Sequence, residues 1–181
     1  MKTLFLTIIG RLSASDWLVA MDIGLMIAIL CSTVLRKRIG SRIQIASAGL
    51  LAGYLYIVLA SLVLNRITGL TYTHRLQPFW SYRLILKGSR IVLWEDLLNI
   101  ILFIPIGFLT KITLPKWKMK HILIAGMATS VILELLQLTL RKGLCEFDDV
   151  FNNTIGTLIG FAVVSLGVSL GTFFYDTVFD K

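Results

Sequence analysis

Between Ile122 and Phe174, two long apolar runs close around a short polar knot that holds Arg141, Lys142, Glu146, Asp148, Asp149, Asn152 and Asn153. Few folds accommodate that pattern. A further carboxylate, Glu134, sits inside the first of the two runs. A charge in the middle of such a run costs about 2.5–3.5 kcal/mol on insertion scales, so it requires a partner and often has a task. The other polar clusters of the chain are therefore read by asking whether they reach this knot.

Only 15% of the 181 residues are charged and 56% are hydrophobic, with a mean hydropathy of +0.83. A soluble domain carries about 25% charged residues, so the composition points to an integral membrane protein. The net charge of +8 then needs no nucleic-acid partner, because basic loops of a membrane protein meet anionic lipid headgroups and set topology. Two cysteines, Cys31 in an apolar run and Cys145 in the knot, make no disulfide framework. The segment Met1–Gly10 is short for a secretory signal and Arg11 interrupts it, although Ser13-Ala14-Ser15 imitates a cleavage site.

With about 20 apolar residues needed per crossing, five spans follow: Trp17–Leu35, Ile43–Leu64, Ile91–Ile112, Ile122–Leu140 and Val150–Phe174. The expected fold is an all-α polytopic helix bundle. Residues 1–64 supply two spans, 65–175 the remaining three, and 176–181 a short tail. Lys and Arg divide equally between the two sides. Short basic loops weigh more than long ones, which places the loops 36–42 (with Arg36-Lys37-Arg38) and 111–120 inside and the N-terminus outside. Alternation of five spans also brings the 65–90 segment, the start of span three, the end of span four and the start of span five to one membrane face. Six of the ten carboxylates (Glu95, Asp96, Glu134, Glu146, Asp148, Asp149) gather there.

Helical periodicity puts Glu134, Gln137 and Arg141 on one face of span four. Asp149, Asn152, Asn153 and Gly156 share a face of span five, and Gly160, Gly167 and Gly171 continue it as a stripe suited to close helix packing. Glu95 and Asn99 lie one turn apart on span three. Such a set forms either a polar cavity or a hydrogen-bonded plug that only fixes packing. Carboxylates and amides together are oxygen ligands suited to a hard divalent cation such as Mg²⁺ or Ca²⁺, and clustered carboxylates split into acid and base. Arg66, Arg75, Arg83 and Arg90 suit a bidentate grip on phosphate or carboxylate. Arg141 is equally readable as a salt-bridge partner of Glu134 or Asp148. The aromatic and basic stretch 72–90 is equally readable as lying in the headgroup region. His74 and His121 fall on opposite faces and share no metal.

Three motifs and the knot, spread over Arg75–Phe161, resemble the VanZ-like family of small membrane proteins. Arg75-Leu76-Gln77-Pro78-Phe79 is similar to its Asn-Leu-x-Pro-Phe segment, with Arg75 where Asn is usual. Asn99-Ile100-Ile101-Leu102-Phe103-Ile104-Pro105-Ile106-Gly107 is similar to its helix in which Asn, an apolar run and Pro-x-Gly follow one another, and Glu134-Leu135-Leu136-Gln137 to its Glu-x-x-Gln. Arg141 with Glu146-Phe147-Asp148-Asp149 through Gly156 is similar to its acidic, Asn-Thr-x-Gly-terminated run. Residues 1–64 fall outside the resemblance. The founding member is associated with low-level resistance to the glycopeptide teicoplanin in Gram-positive bacteria.

The expectation is thus a multi-pass cell-membrane protein whose outward polar pocket recognises or modifies an envelope lipid or a lipid-linked cell-wall intermediate. Glu134, Asp148 and Asp149 are the acid/base or cation-binding candidates. Asn99, Gln137, Asn152 and Asn153 orient them, and Arg75, Arg83 and Arg141 hold an anionic headgroup. Two alternatives stand beside it: a non-catalytic protein that excludes a glycopeptide or partners an envelope enzyme, and a small lipid transporter suggested by Pro105 and Gly107.

Overall fold

The computed structural model describes residues 12–34 and 41–179, with side chains described up to residue 170. The basic run Arg36-Lys37-Arg38, the signal-like Met1–Gly10 and Arg11 lie outside the described residues, as do the last two residues of the 176–181 tail and the surroundings of Gly171. The elements are α1 (Ala14–Thr33), α2 (Arg42–Leu59, continued by a π-helical turn Ala60–Leu64), β1 (Thr73–Arg75), α3 (Trp80–Leu86), α4 (Arg90–Thr113), α5 (Met119–Thr139), β2 (Leu144–Glu146) and α6 (Phe147–Phe179). Five of the helices are long and apolar enough to cross a membrane, as expected from the five runs.

Side chains that cap the backbone set where the helices begin. Ser13 opens α1 and donates its N–H and its hydroxyl to Asp16 Oδ2 at 2.8 and 2.7 Å. Ser41 opens α2 in a reciprocal exchange with Gln44, satisfying backbone N–H groups that no intrahelical carbonyl can reach. Asp16 also receives the Asn65 amide at 2.9 Å and the Tyr56 hydroxyl at 3.3 Å, which pins the start of α1 to the far end of α2. Along the α1–α2 seam, Gly24 and Gly49 face each other's backbone and Gly53 faces the Ala20 carbonyl.

The most intimate packing is between α4 and α6. A methyl group on Gly107 would run into the Thr157 carbonyl, one on Gly156 into that of Ile100, and one on Gly160 into that of Ile104. Lipid tails are as apolar as leucine, so helices in a bilayer associate through such close fit rather than through hydrophobic transfer. The glycine stripe expected on span five therefore works as far as Gly160. Gly167 has open space around it; the stripe outruns its partner there. Val58, Leu62, Val63, Phe103, Ile106 and Leu133 form the apolar core where α2, α4 and α5 meet. Helix α4 continues through Pro105. Pro105 leaves the Ile101 carbonyl without its usual donor, and the Tyr54 hydroxyl donates to the next carbonyl, Leu102, at 2.8 Å. The discontinuous helix that motivated a transporter is absent from this span.

The 65–90 connection is folded rather than laid flat. β1 pairs in parallel with β2, with Thr73 opposite Leu144, His74 opposite Cys145 and Arg75 opposite Glu146. This short pairing, together with α3, closes one end of an otherwise helical bundle.

Candidate functional site

The first two turns of α6 are the hub of that end. Asp148, 1% exposed, accepts the Phe79 N–H at 2.6 Å on Oδ1, and the Ser81 N–H and hydroxyl at 2.9 and 2.8 Å on Oδ2. Asp149 Oδ1 accepts the Asn99 amide of α4 at 2.7 Å. Asn152 Oδ1 accepts the Tyr82 hydroxyl of α3 at 2.5 Å. The Asn153 amide donates to Ser130 of α5 at 2.8 Å. From α5, Glu134 Oε2 accepts the Glu146 N–H at 2.9 Å, and the Gln137 amide donates to the Leu62 carbonyl in the π-helical turn at 3.4 Å. Asp148, Asp149, Asn152 and Asn153 thus tie one helix to α3, α4 and α5. The acidic start of α6 also suits the positive end of its dipole.

The loop that Asp148 holds is strained. Phe79 has φ 58°, a left-handed conformation that bulky residues avoid. Its ring sits edge-on to Tyr82, Phe147 and Phe151, with centroids 5.8, 6.3 and 5.5 Å away. Three donors converge on the acid/base candidate Asp148, filling three of the roughly four acceptor sites of a carboxylate, which suits it to holding the loop.

Around this hub two buried acceptors, Gln137 Oε1 and Asn153 Oδ1, have no hydrogen-bond partner among the described residues, and Asp96 Oδ2 and Asn152 Nδ2 meet no bond of ideal geometry, although those two side chains lie within reach of each other. Orphaned polar atoms are rare in protein interiors, and each one calls for water, an ion or a ligand. Asp96, within reach of Ser81 and Asn152, has no signal in the sequence that sets it apart; it sits one residue from the more conspicuous Glu95, which is exposed. Glu146 reads from the sequence only as part of the knot. Burial pushes its carboxyl up to about 7, opposed by the Arg75 guanidinium and helped by Glu95, Asp148 and Asp96. At neutral pH such a group both gives and takes a proton. Burial, then the carboxylates of Glu134, Asp149 and Glu146, push the Cys145 thiol up, which keeps it protonated and a poor nucleophile.

The arginines do not converge as expected from the sequence. Arg75 lies 3.8 Å from Glu146 and 3.8 Å over the Trp80 ring. Arg83 donates to the Pro78 carbonyl at 2.9 Å. Arg141 shares no helical face with Glu134 and Gln137, because α5 ends at Thr139 and Arg141 has φ 55°. It pairs with neither Glu134 nor Asp148; its guanidinium lies 4.3 Å over the Tyr72 ring and donates to the Tyr72 hydroxyl at 3.0 Å. Helical periodicity fails at a residue beyond the helix end. Among the described residues no three His, Cys, Asp or Glu side chains are placed to hold a metal ion.

A family model described as VanZ/LLP1 matches residues 49–169. The match begins inside α2, whereas the motifs alone left all of residues 1–64 outside. The packing explains the difference: α2 and its π-helical turn supply Val58, Leu62 and Val63 to the common core, and Ser47 donates to the Leu109 carbonyl of α4 at 2.9 Å. No curated protein and no solved structure matches the chain.

Proposed function

The chain belongs to the VanZ/LLP1 family, and from that premise we propose that it is a multi-pass protein of the cell membrane whose outward-facing polar end recognises or modifies an envelope lipid or a lipid-linked cell-wall intermediate. The observation that carries this reading is the pair of buried acceptors at the hub with no partner among the described residues, Gln137 Oε1 and Asn153 Oδ1. A ligand hydroxyl or amide satisfies such atoms; packing alone leaves them costly. In this reading Glu134, Asp149 and Glu146 exchange protons with the bound group, and Asn99 sets the Asp149 carboxylate. Gln137, Asn152 and Asn153 read the ligand's polar edges. Asp148 enters as a positioning residue that holds the 79–81 loop over the hub. Lowered susceptibility to teicoplanin is the phenotype expected of this activity.

The test compares teicoplanin and vancomycin susceptibility of a susceptible Gram-positive host carrying the intact protein, Asp149→Asn, Glu134→Gln or an empty vector, at matched membrane levels. Protection by the intact protein that disappears in both variants is expected. Full protection by both variants at normal abundance refutes the pocket chemistry. A second reading draws on a different observation, that the α6 residues tie three elements together. It makes the hub a scaffold for a protein that excludes antibiotic or partners an envelope enzyme. It predicts that phenotype falls only in step with protein abundance.

A further inference from the structure

Beside the acidic hub, the same end of the bundle contains a cavity of about 590 Å³ between the 65–73 loop and the turn at 141–143. Arg66, Arg141 and Lys142 line it together with Asn65, Thr71 and Thr73, and none of its lining residues is acidic. Arg66 has the Glu134 and Asp149 carboxylates near it on the hub side, whereas the Arg141 and Lys142 charges repel each other across the space unless an anion or water separates them. Across the hub wall, Arg66 lies close to Gly143 and Gln137, so the cavity borders the orphaned Gln137 oxygen.

The walls are fixed before any ligand arrives. The Gly69 N–H donates to the Arg141 carbonyl at 2.6 Å, Thr73 Oγ1 to the Gly143 carbonyl at 2.8 Å, and Lys142 Nζ to the Leu64 carbonyl at 2.6 Å. The turn itself closes α5 through two bonds, Arg141 N–H to Leu138 and Lys142 N–H to Gln137, at 3.1 and 2.8 Å. That pattern places Arg141 at the left-handed position which glycine ordinarily occupies at a helix end. Arginine carries there a steric cost that glycine escapes. The chain closes a glycine turn with an arginine and then stacks its guanidinium on Tyr72. Arg141 spends one of its five N–H groups on Tyr72, and Lys142 one of three on Leu64, leaving donors of both for a ligand.

We propose that this cavity is an anion site that takes a phosphate group, carried by a lipid headgroup or free in solution. A guanidinium grips two phosphate oxygens at once, an ammonium adds a point charge, and threonine hydroxyls and backbone donors complete the shell. The assignment rests on the reading above, because it supplies the headgroup contact of the same site. It replaces Arg75 and Arg83 with Lys142 and with Arg66, whose guanidinium also faces the Glu134 and Asp149 carboxylates of the hub.

The test uses the full chain in an uncharged detergent, titrated calorimetrically with inorganic phosphate and with short-chain phosphatidic acid. The set comprises the intact protein, Arg141→Gly, Lys142→Gln, and Lys120→Gln at the opposite end of the bundle. Saturable binding of at least one of the two ligands is expected, weakened tenfold or more by Arg141→Gly and by Lys142→Gln and unchanged by Lys120→Gln. Phosphate binding identifies the free group as sufficient, and binding of the lipid alone identifies the headgroup. Arg141→Gly is expected to melt at or above the temperature of the intact protein, so its loss of binding is not a loss of fold; if it does not fold, Lys142→Gln decides. No saturable binding of either ligand, binding indifferent to both cavity variants, or equal weakening by Lys120→Gln overturns the site. Asp149→Asn separates the two readings: phosphate binding that survives while protection is lost supports both. Lost protection with no binding of either ligand in any variant sinks the anion site alone. Phosphate binding with full protection by Asp149→Asn sinks the acidic pocket alone.

Discussion

Replacing Asp148 by asparagine changes one oxygen into an amide while keeping shape and volume. Three donors converge on the carboxylate, the Phe79 N–H and the Ser81 N–H and hydroxyl. The introduced amide satisfies at best the two from Ser81 with its one oxygen and then turns its own donors toward the Phe79 N–H. Hydrogen bonds to a charged acceptor are worth about 1.5–3 kcal/mol and neutral ones about 0.5–1.5, and a buried donor left unpaired costs about 1–3 kcal/mol. Losing one bond and weakening two gives about 3–5 kcal/mol. The strain of Phe79 at φ 58° pulls in the same direction once its N–H is released. With a factor of ten for every 1.4 kcal/mol, backbone amides over 76–84 exchange with solvent hydrogen roughly a hundred to a few thousand times faster in Asp148→Asn. Mass-resolved hydrogen exchange in detergent measures this directly. Protection over 76–84 that stays within about a factor of three of the intact protein refutes the account. A loss spread evenly over α4, α5 and α6 refutes it too, because the defect is expected to be local.

Glu146 makes stability depend on pH in a definite direction. Its folded carboxyl titrates at about 7, above the unfolded value, so the folded state holds more protons between about 4.5 and 7 and loses stability as pH rises through that window, by about 3 kcal/mol. Glu146→Gln is expected to flatten this slope in chemical unfolding followed from about pH 4.5 to 7.5, and an unchanged slope contradicts the assignment. Gly107→Ala drives a methyl group into the Thr157 carbonyl and is expected to lower stability by about 1–3 kcal/mol; a melting temperature equal to that of the intact protein rules out the close α4–α6 approach. Tyr54→Phe removes one hydroxyl bond to the Leu102 carbonyl and is expected to cost about 1 kcal/mol, read in the same unfolding assay.

The five long helices were legible because a run of about twenty apolar residues has essentially one stable form in a membrane. The gathering of Asn99, Glu134, Asp149, Asn152 and Asn153 followed from alternation of the spans and needed no side-chain detail. Two kinds of information were not legible. Three-residue strands such as β1 and β2 are too short to show a period, so the folding of the 65–90 connection onto the knot stayed hidden. The partners of Arg75, Arg83 and Arg141 depend on backbone turns, and the left-handed conformation at Arg141 has no signature when glycine is not the residue that adopts it. Asp96 and Glu146 looked like ordinary charges near helix ends; only burial distinguishes them from Glu95.

The hub on α6 has a bearing on biogenesis. Phe79, Ser81, Tyr82, Asn99, Ser130 and Glu134 all emerge from the ribosome before the residues that satisfy or surround them on β2 and α6. Until the final span is delivered, these groups lack their counterparts, and the earlier spans are held by their apolar seams and by bonds such as those of Ser47 and Tyr54 to α4 carbonyls. The polar end is therefore assembled in a single late step, like the last stone set into an arch. A chain arrested before residue 147 leaves Phe79, Ser81, Tyr82, Asn99 and Ser130 without their partners on α6.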